Sequence, residues 1–151
     1  MSISKKIDRL DNPDIYNVGV YIRTGGKIEG LDITKYQKDR VDEYCEQLKV
    51  KIVDYYVDDG VPRNGNKLEL KRLLQDIENG KINMIVTANI ERISGTQKEM
   101  IELAKLERDS GVRILMADSR EEIKNYRFIG NYERTMRMCN GDFEEEDDME
   151  M

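Results

Sequence analysis

The stretch NVGVYIRTGG, residues 17–26, decides the fold class of this chain. Its first seven residues are mostly apolar, which is typical of a strand that is buried on both faces. The glycines that follow, up to Gly30, predict a turn that leads into a helix. A buried strand that passes through a turn into a helix begins a strand–helix–strand unit, so we expect an α/β protein.

The same alternation continues along the chain. Three further apolar segments predict strands at about 50–57, 84–88 and 112–116. Apolar residues at three- and four-residue spacings predict helices at about 32–48, 67–79 and 96–109. Strands that alternate with helices imply a three-layer domain, with a mostly parallel sheet of about four strands flanked by helices.

The 151 residues suffice for one such domain, which we place at residues 15–117. Residues 1–14 are polar and end in Asn-Pro-Asp, so we expect a flexible N-terminal arm. Residues 118–141 predict a short helical extension, and residues 142–151 an acidic disordered tail.

The net charge of −6 is concentrated in that tail. It holds seven of the 31 acids and no base, which leaves 24 acids against 25 bases in residues 1–141. Affinity for DNA rises with the number of phosphates that a protein neutralises, so we expect weak or no binding to duplex DNA without a partner. The tail is either a solubilising segment or an interaction segment that occupies a basic surface.

Several classes of site are excluded by composition. The chain has no histidine, which excludes histidine-based triads and HExxH metal centres. Cys45 and Cys139 are too few for a disulfide framework or a zinc site, and we expect both to be packing residues in a reducing cytoplasm. The N-terminus lacks the apolar core of a secretory signal, and no apolar stretch approaches the roughly 20 residues that span a membrane. We therefore expect a cytoplasmic protein without metal or cofactor.

Functional groups of a parallel sheet lie outside the carboxyl ends of its strands. The segments predicted there are 23–30, 58–67 and 89–96. Gly26-Lys27 is not followed by the Ser or Thr of a P-loop, which argues against a nucleotide site. Asp58-Asp59 has no third convergent ligand in the sequence, so a solvated loop is favoured over a metal pair.

These three segments resemble the catalytic domain of serine recombinases, the resolvase/invertase family. Residues 21–25, YIRTG, are similar to the family motif Y-x-R-x-S, and residues 58–61, DDGV, to D-x-G-[IV]-S. Residues 90–94, IERIS, are similar to L-D-R-L-S, and residues 70–83 to the second helix and its exit turn. Gln37 stands where the family has a glutamine in its first helix. The resemblance spans residues 17–116 and implies a resolvase-like fold.

The resemblance also implies a reaction. In the family a serine hydroxyl attacks a DNA phosphodiester without metal, and arginines stabilise the charge that develops on phosphorus. This chain has Gly25 at the nucleophile position, Pro62 in place of the loop serine and Gly95 in place of a second arginine. We therefore expect no catalytic residue. The remaining equivalents of the family active site are Arg23, Gln37, Asp58, Lys67, Glu91 and Arg92.

Two functions remain open. A third alternative is a remnant that has no function. The first is a catalytically inactive interaction or regulatory module, linked to DNA recombination in a mobile element or phage. Such a module would self-associate or pair with an active recombinase. The alternative is a divergent, active site-specific recombinase with another nucleophile. Thr24 and Ser94 are the nearby hydroxyls, but strand alternation turns Thr24 away from the face of Arg23 and Gly25.

The bases near the strand ends predict a phosphate or anion site, which would also be a docking face for the acidic tail. Alternatively, Arg23 and Arg92 satisfy carboxylates such as Asp58 and Glu91. The candidate anion-binding residues are Arg23, Lys27, Arg63, Lys67 and Arg92.

Overall fold

The computed structural model describes residues 6–25 and 32–123. Its strands are β1 (Asn17–Arg23), β2 (Lys51–Asp58), β3 (Met84–Thr87), β4 (Arg113–Met116) and β5 (Glu121–Glu122). Its helices are α1 (Ile33–Leu48), α2 (Leu68–Glu78), α3 (Ile90–Ile93) and α4 (Gln97–Ser110), and a short 3-10 turn covers Pro13–Ile15.

The strands form one sheet in the order β2-β1-β3-β4-β5. The first four strands are parallel, and β5 is antiparallel to β4. This architecture confirms the predicted α/β class and mostly parallel sheet. The fifth strand was not predicted because two residues are too few to show a period. The chain leaves β1 towards β2 and leaves β3 towards β4, and this divergence opens a crevice at their carboxyl ends.

Both faces of the sheet are covered, which explains the nearly continuous apolar pattern of β1. On one face Val18, Val20 and Ile22 pack with α1 residues such as Val41 and Leu48. On the other face Tyr21 and Tyr56 pack with Leu73 of α2 and Leu103 of α4. Two layers of helices therefore enclose the sheet and hold the ends of its strands in place.

Cys45 belongs to the cluster beneath α1 and is 1% exposed. Burial raises the pKa of its thiol to about 12, so the thiolate that reacts with oxidants or metals is disfavoured. This agrees with a packing role. Cys139 lies outside the described residues.

Close packing also explains a glycine inside β1. A Cβ at Gly19 would lie 2.6 Å from Leu73 Cδ1 of α2, a distance that real Cβ atoms do not adopt. The absence of a side chain therefore lets α2 settle directly on the strand that leads to Arg23.

The two ends of the domain differ from expectation. In the expected loose arm, Ile7 is buried, its N–H donates to the Arg120 carbonyl, and its own carbonyl accepts the Tyr44 hydroxyl at 2.9 Å. Ile7 and the partly buried Leu10 both pack against the cluster beneath α1, and they dock residues 6–10 against the domain. No helix within the described ranges is long and apolar enough to cross a membrane.

The segment that follows β4 begins with a turn and β5 rather than with a helix. Arg113 forms a salt bridge at 2.8 Å with Glu122, whose side chain is 3% exposed, and this pairing stabilises β5 against β4. The rest of the predicted helical extension and the acidic tail lie outside the described residues.

Candidate anion-binding site

A cleft of about 590 Å³ occupies the crevice beyond the carboxyl ends of β1 and β3. The three segments that the sequence places at these strand ends all contribute to it. Three of its lining residues are arginines and one is acidic, so its fixed charge is positive. The lining residues are Arg23, Gly25, Pro62, Arg63, Asn64, Glu91, Arg92, Gly95 and Thr96.

Arg23 forms the floor of this cleft and is 3% exposed. Its guanidinium donates to three backbone carbonyls, through Nε to Arg92 at 3.0 Å, through NH1 to Val61 at 2.8 Å and through NH2 to Glu91 at 2.6 Å. Within residues 6–25 and 32–123, no carboxylate forms a salt bridge with it. Among the described residues, Arg23 therefore does not pair with the carboxylate of Asp58 or Glu91.

Burial, and then the charge of Arg92, lower the pKa of Arg23 below its usual value. The three carbonyls accept three of its five N–H groups and do not cancel its charge. A buried cation whose partners are neutral still attracts an anion, and more strongly than an exposed one because the surroundings screen it less.

The backbone of Arg23 is fixed from behind the cleft. Gln37 Nε2 donates to the Arg23 carbonyl at 2.8 Å, and Gln37 Oε1 accepts the Arg23 N–H at 3.3 Å. Arg92 NH1 donates to the same carbonyl at 3.2 Å. Gln37 does not line the cleft. It extends the hydrogen bonding of β1 and so positions Arg23.

Position 25 faces the cleft. A Cβ at Gly25 would lie 3.2 Å from Arg23 NH1 and 3.8 Å from the Val61 carbonyl. A side chain there would meet the guanidinium, and glycine offers no oxygen. The neighbouring Thr24 is 4% exposed and absent from the cleft lining. Its hydroxyl donates to Asp59 Oδ1 at 2.5 Å and accepts the Gly60 N–H at 2.9 Å, so it ties down the loop after β2.

Asp58 also has a structural role. Its carboxylate accepts the Tyr21 hydroxyl at 2.8 Å and the N–H groups of Glu69 at 2.9 Å and Leu70 at 3.2 Å. Burial, followed by this hydrogen bond, raises the pKa of Tyr21. Asp58 therefore caps the N-terminus of α2, where the N-cap residue Lys67 provides no side-chain cap.

Of the five bases expected to converge, Arg23, Arg63 and Arg92 line the cleft. Lys67 does not line the cleft, and its ammonium is bound to the Arg63 carbonyl and lies 3.1 Å from Glu99 Oε2. Lys27 lies outside the described residues. Within the described ranges, no cluster of three or more Cys, Asp or Glu side chains could hold a metal ion.

Thr96 is a cleft residue that was not predicted from the sequence. Its hydroxyl oxygen accepts the Glu99 N–H at 3.1 Å and caps α4. The spacing Thr96-x-x-Glu99 is that of a capping box, which indicates a helix start and gives no hint of a cleft. Ser94, by contrast, is 5% exposed and donates to the Thr96 carbonyl at 3.0 Å.

Comparison with solved structures shows the same fold in serine recombinases. The N-terminal catalytic domain of TP901-1 integrase matches with a TM-score of 0.64 and 18% identity, over 86% of this chain and 97% of that one. A resolvase family site-specific recombinase from Streptococcus pneumoniae matches with a TM-score of 0.66 and 19% identity, over 85% and 91%.

The C-terminal catalytic domain of ISC1926 TnpA, an IS607-like serine recombinase, matches with a TM-score of 0.58 and 18% identity, over 67% of each chain. No curated protein matched the chain. The family model for the N-terminal domain of resolvases matches residues 18–147, which is most of the sequence. By this match and by its resolvase-like sheet, the chain belongs to the resolvase N-terminal domain family.

Proposed function

We propose that this chain is a catalytically inactive serine recombinase-like protein that acts as an interaction or regulatory module in DNA recombination. The observation that carries the proposal is Gly25. The backbone brings position 25 beside the buried Arg23 guanidinium, yet no side-chain oxygen is present to attack phosphorus. Catalytic power in covalent phosphoryl transfer depends on that nucleophile, so a scaffold without it retains binding at most.

The alternative, a divergent active recombinase, rests on the hydroxyl of Thr96, which lines the cleft with the arginines. An alcohol needs a neighbouring base to become a nucleophile. Among the described residues the Thr96 oxygen accepts the Glu99 N–H, and no hydrogen bond joins its hydroxyl to a carboxylate. Thr24 and Ser94 are buried and do not line the cleft, and their hydroxyls already donate to Asp59 and to the Thr96 carbonyl. These contacts favour the inactive form.

The retained arginines support a role in binding anions. Arg63 and Arg92 stand at the cleft above Arg23, where a phosphate group or a carboxylate would be attracted. The nearly neutral body makes the chain a poor binder of duplex DNA on its own. Its partner is therefore a second copy of the chain or an active recombinase of a mobile element or phage.

The test is the search for a covalent DNA adduct. The full chain is incubated with nicked duplexes that carry recombinase crossover dinucleotides and is then run on denaturing gels beside an active serine recombinase. We expect a protein-linked band from the active enzyme alone. Gly25→Ser should also give none, because Pro62 and Gly95 replace further site residues and catalytic groups act as a unit. A band from the wild-type chain that disappears in Thr96→Val or Thr24→Val would establish the alternative.

A further inference from the structure

The loop between β2 and α2 rests directly on Gly95. A Cβ at Gly95 would lie 2.6 Å from the Arg63 carbonyl carbon, still closer to the carbonyl oxygen, and 3.1 Å from Arg63 Cβ. The obstacle is backbone, which cannot swing aside as the end of a long side chain can. Position 95 therefore accepts no side chain while the loop keeps this conformation.

The contact between this loop and Gly95 also brings a cation into the cleft. Arg63 lines the cleft with Arg23 and Arg92, and its NH2 donates to the Gly95 carbonyl at 3.4 Å. Arg63 is itself exposed, so its guanidinium can exchange this long hydrogen bond for a ligand. Because position 95 has no side chain, the backbone of Arg63 can lie against it. This close approach places the Arg63 side chain at the cleft.

The loop is held on both sides. Towards β1, the Val61 N–H donates to the Thr24 carbonyl at 2.8 Å, and the Val61 carbonyl accepts from Arg23 NH1. Towards α4, the Lys67 ammonium donates to the Arg63 carbonyl. Lys67 is 4% exposed and is paired with Glu99, which also accepts the Gly95 N–H at 2.6 Å. Lys67 and Glu99 thus clamp Arg63 and Gly95 together without entering the cleft.

We propose that Gly95 and Lys67 are positioning residues for Arg63, and that Arg63 is the third cation of a site for a tetrahedral phosphate group. This rests on the anion-binding role proposed above, and it adds to that site Arg63 and the two residues that hold its backbone. Arg63 and Arg92 bind the phosphate oxygens from the open side, and Arg23 supplies a fixed charge beneath them. Guanidinium groups suit this task because their planar N–H pairs match phosphate oxygens.

The experiment compares the full chain with Gly95→Ala, Arg63→Ala and the double variant. Arg40→Ala is the control, since it removes an arginine that pairs with Asp118 and lines no part of the cleft. Calorimetry at low salt measures binding of inorganic phosphate and, separately, of a short single-stranded oligonucleotide. The two probes distinguish a free phosphate from a nucleic-acid phosphodiester as the source of the group.

We expect Gly95→Ala to weaken binding as much as Arg63→Ala does, and the double variant to bind no worse than either single one, because both act through one guanidinium. Arg40→Ala should bind as the wild type does. Losses that multiply in the double variant, or wild-type binding by Gly95→Ala, would overturn the positioning role.

A second measurement is independent of any ligand. Trypsin cleaves after Arg63 only when the loop opens, so we expect about tenfold faster cleavage at that bond in Gly95→Ala than in the wild type. Lys67→Met should give the same acceleration and the same loss of binding, and it serves as the test if Gly95→Ala does not fold. Failure of the wild type to bind either probe would refute the anion site itself. Unchanged cleavage in both variants would refute only the coupling.

Discussion

Arg23 shows how a single residue can join distant parts of a fold and still suggest a function. A cation that is 3% exposed normally has a carboxylate partner, and this one has three carbonyls instead. Those carbonyls come from the loop after β2 and from α3. Arg23 therefore joins three segments that are distant in sequence, and its charge remains uncancelled at the base of the cleft.

At this scale we predict that Arg23→Met destabilises the protein by about 1.5–3 kcal/mol, because buried carbonyls lose their donors. Methionine keeps the length and the apolar stem of the side chain, so the change isolates the guanidinium. The free energy of unfolding is measured in urea, with Arg40→Ala as the control, which should cost no more than about 1 kcal/mol. A variant as stable as the wild type would show that relief from burying an unpaired charge outweighs the lost hydrogen bonds.

Elements in this domain are stabilised by residues of other elements as well as by their own. Helix α1 uses its own cap, in which Asp32 accepts the Lys35 N–H at 3.0 Å. Helix α2 instead relies on Asp58 at the end of β2. The carboxylate that the family resemblance places in the active site thereby joins β1, β2 and α2 through the Tyr21 hydroxyl and two backbone N–H groups.

We predict that Asp58→Ala costs about 2 kcal/mol of folding free energy, because the N-terminus of α2 loses its cap and the Tyr21 hydroxyl loses its acceptor. Asp32→Ala is the matched control, since its carboxylate caps an exposed helix start that water can solvate. It should cost about 0.5–1 kcal/mol. Thermal and urea unfolding of both variants would measure the difference, and equal losses would mean that Asp58 contributes no more than an ordinary surface cap.

The molecule as a whole combines a positively charged cleft with a strongly acidic segment in one chain. Residues 142–151 hold seven acids and lie outside the described residues. Each exposed contact between such groups contributes about 0.2–1 kcal/mol, so an effect needs several of them together. Arg63 and Arg92 are the cleft cations to vary. Arg23 is buried and its guanidinium donates to three backbone carbonyls, so its removal would also change the stability of the fold.

We predict that deletion of residues 142–151 increases retention on heparin, and increases it less when Arg63→Ala and Arg92→Ala are also present. Retention of the four proteins is compared at low salt and at about 0.1 M and above, where a Debye length of about 10 Å or less weakens the effect. An equal increase in both backgrounds would mean that the tail acts only through net charge and does not dock at the cleft.

Much of this architecture was predictable because local patterns reflect it directly. Buried β1 and the amphipathic helices have clear periods, and their alternation leads to a parallel sheet with a site at the strand ends. The glycine at position 25, where the resemblance to Y-x-R-x-S implies a serine, is equally visible in the sequence. The short α3 and the two-residue β5 were missed because they are below the length at which a period can be recognised.

By itself the sequence determined the fold class, the family resemblance, the charge of the tail and the identity of the residues near the strand ends. Only the tertiary structure decided what those residues do. Asp58 became a helix cap and Lys67 a partner of the Arg63 carbonyl, whereas Thr96, which was not among the candidates, reached the cleft. The structure explains the glycine at position 95 by its close approach to the Arg63 backbone, which is 32 residues away along the chain. The physical reason is that periodicity reports which face is buried, while a contact between loops depends on how closely two distant backbones approach.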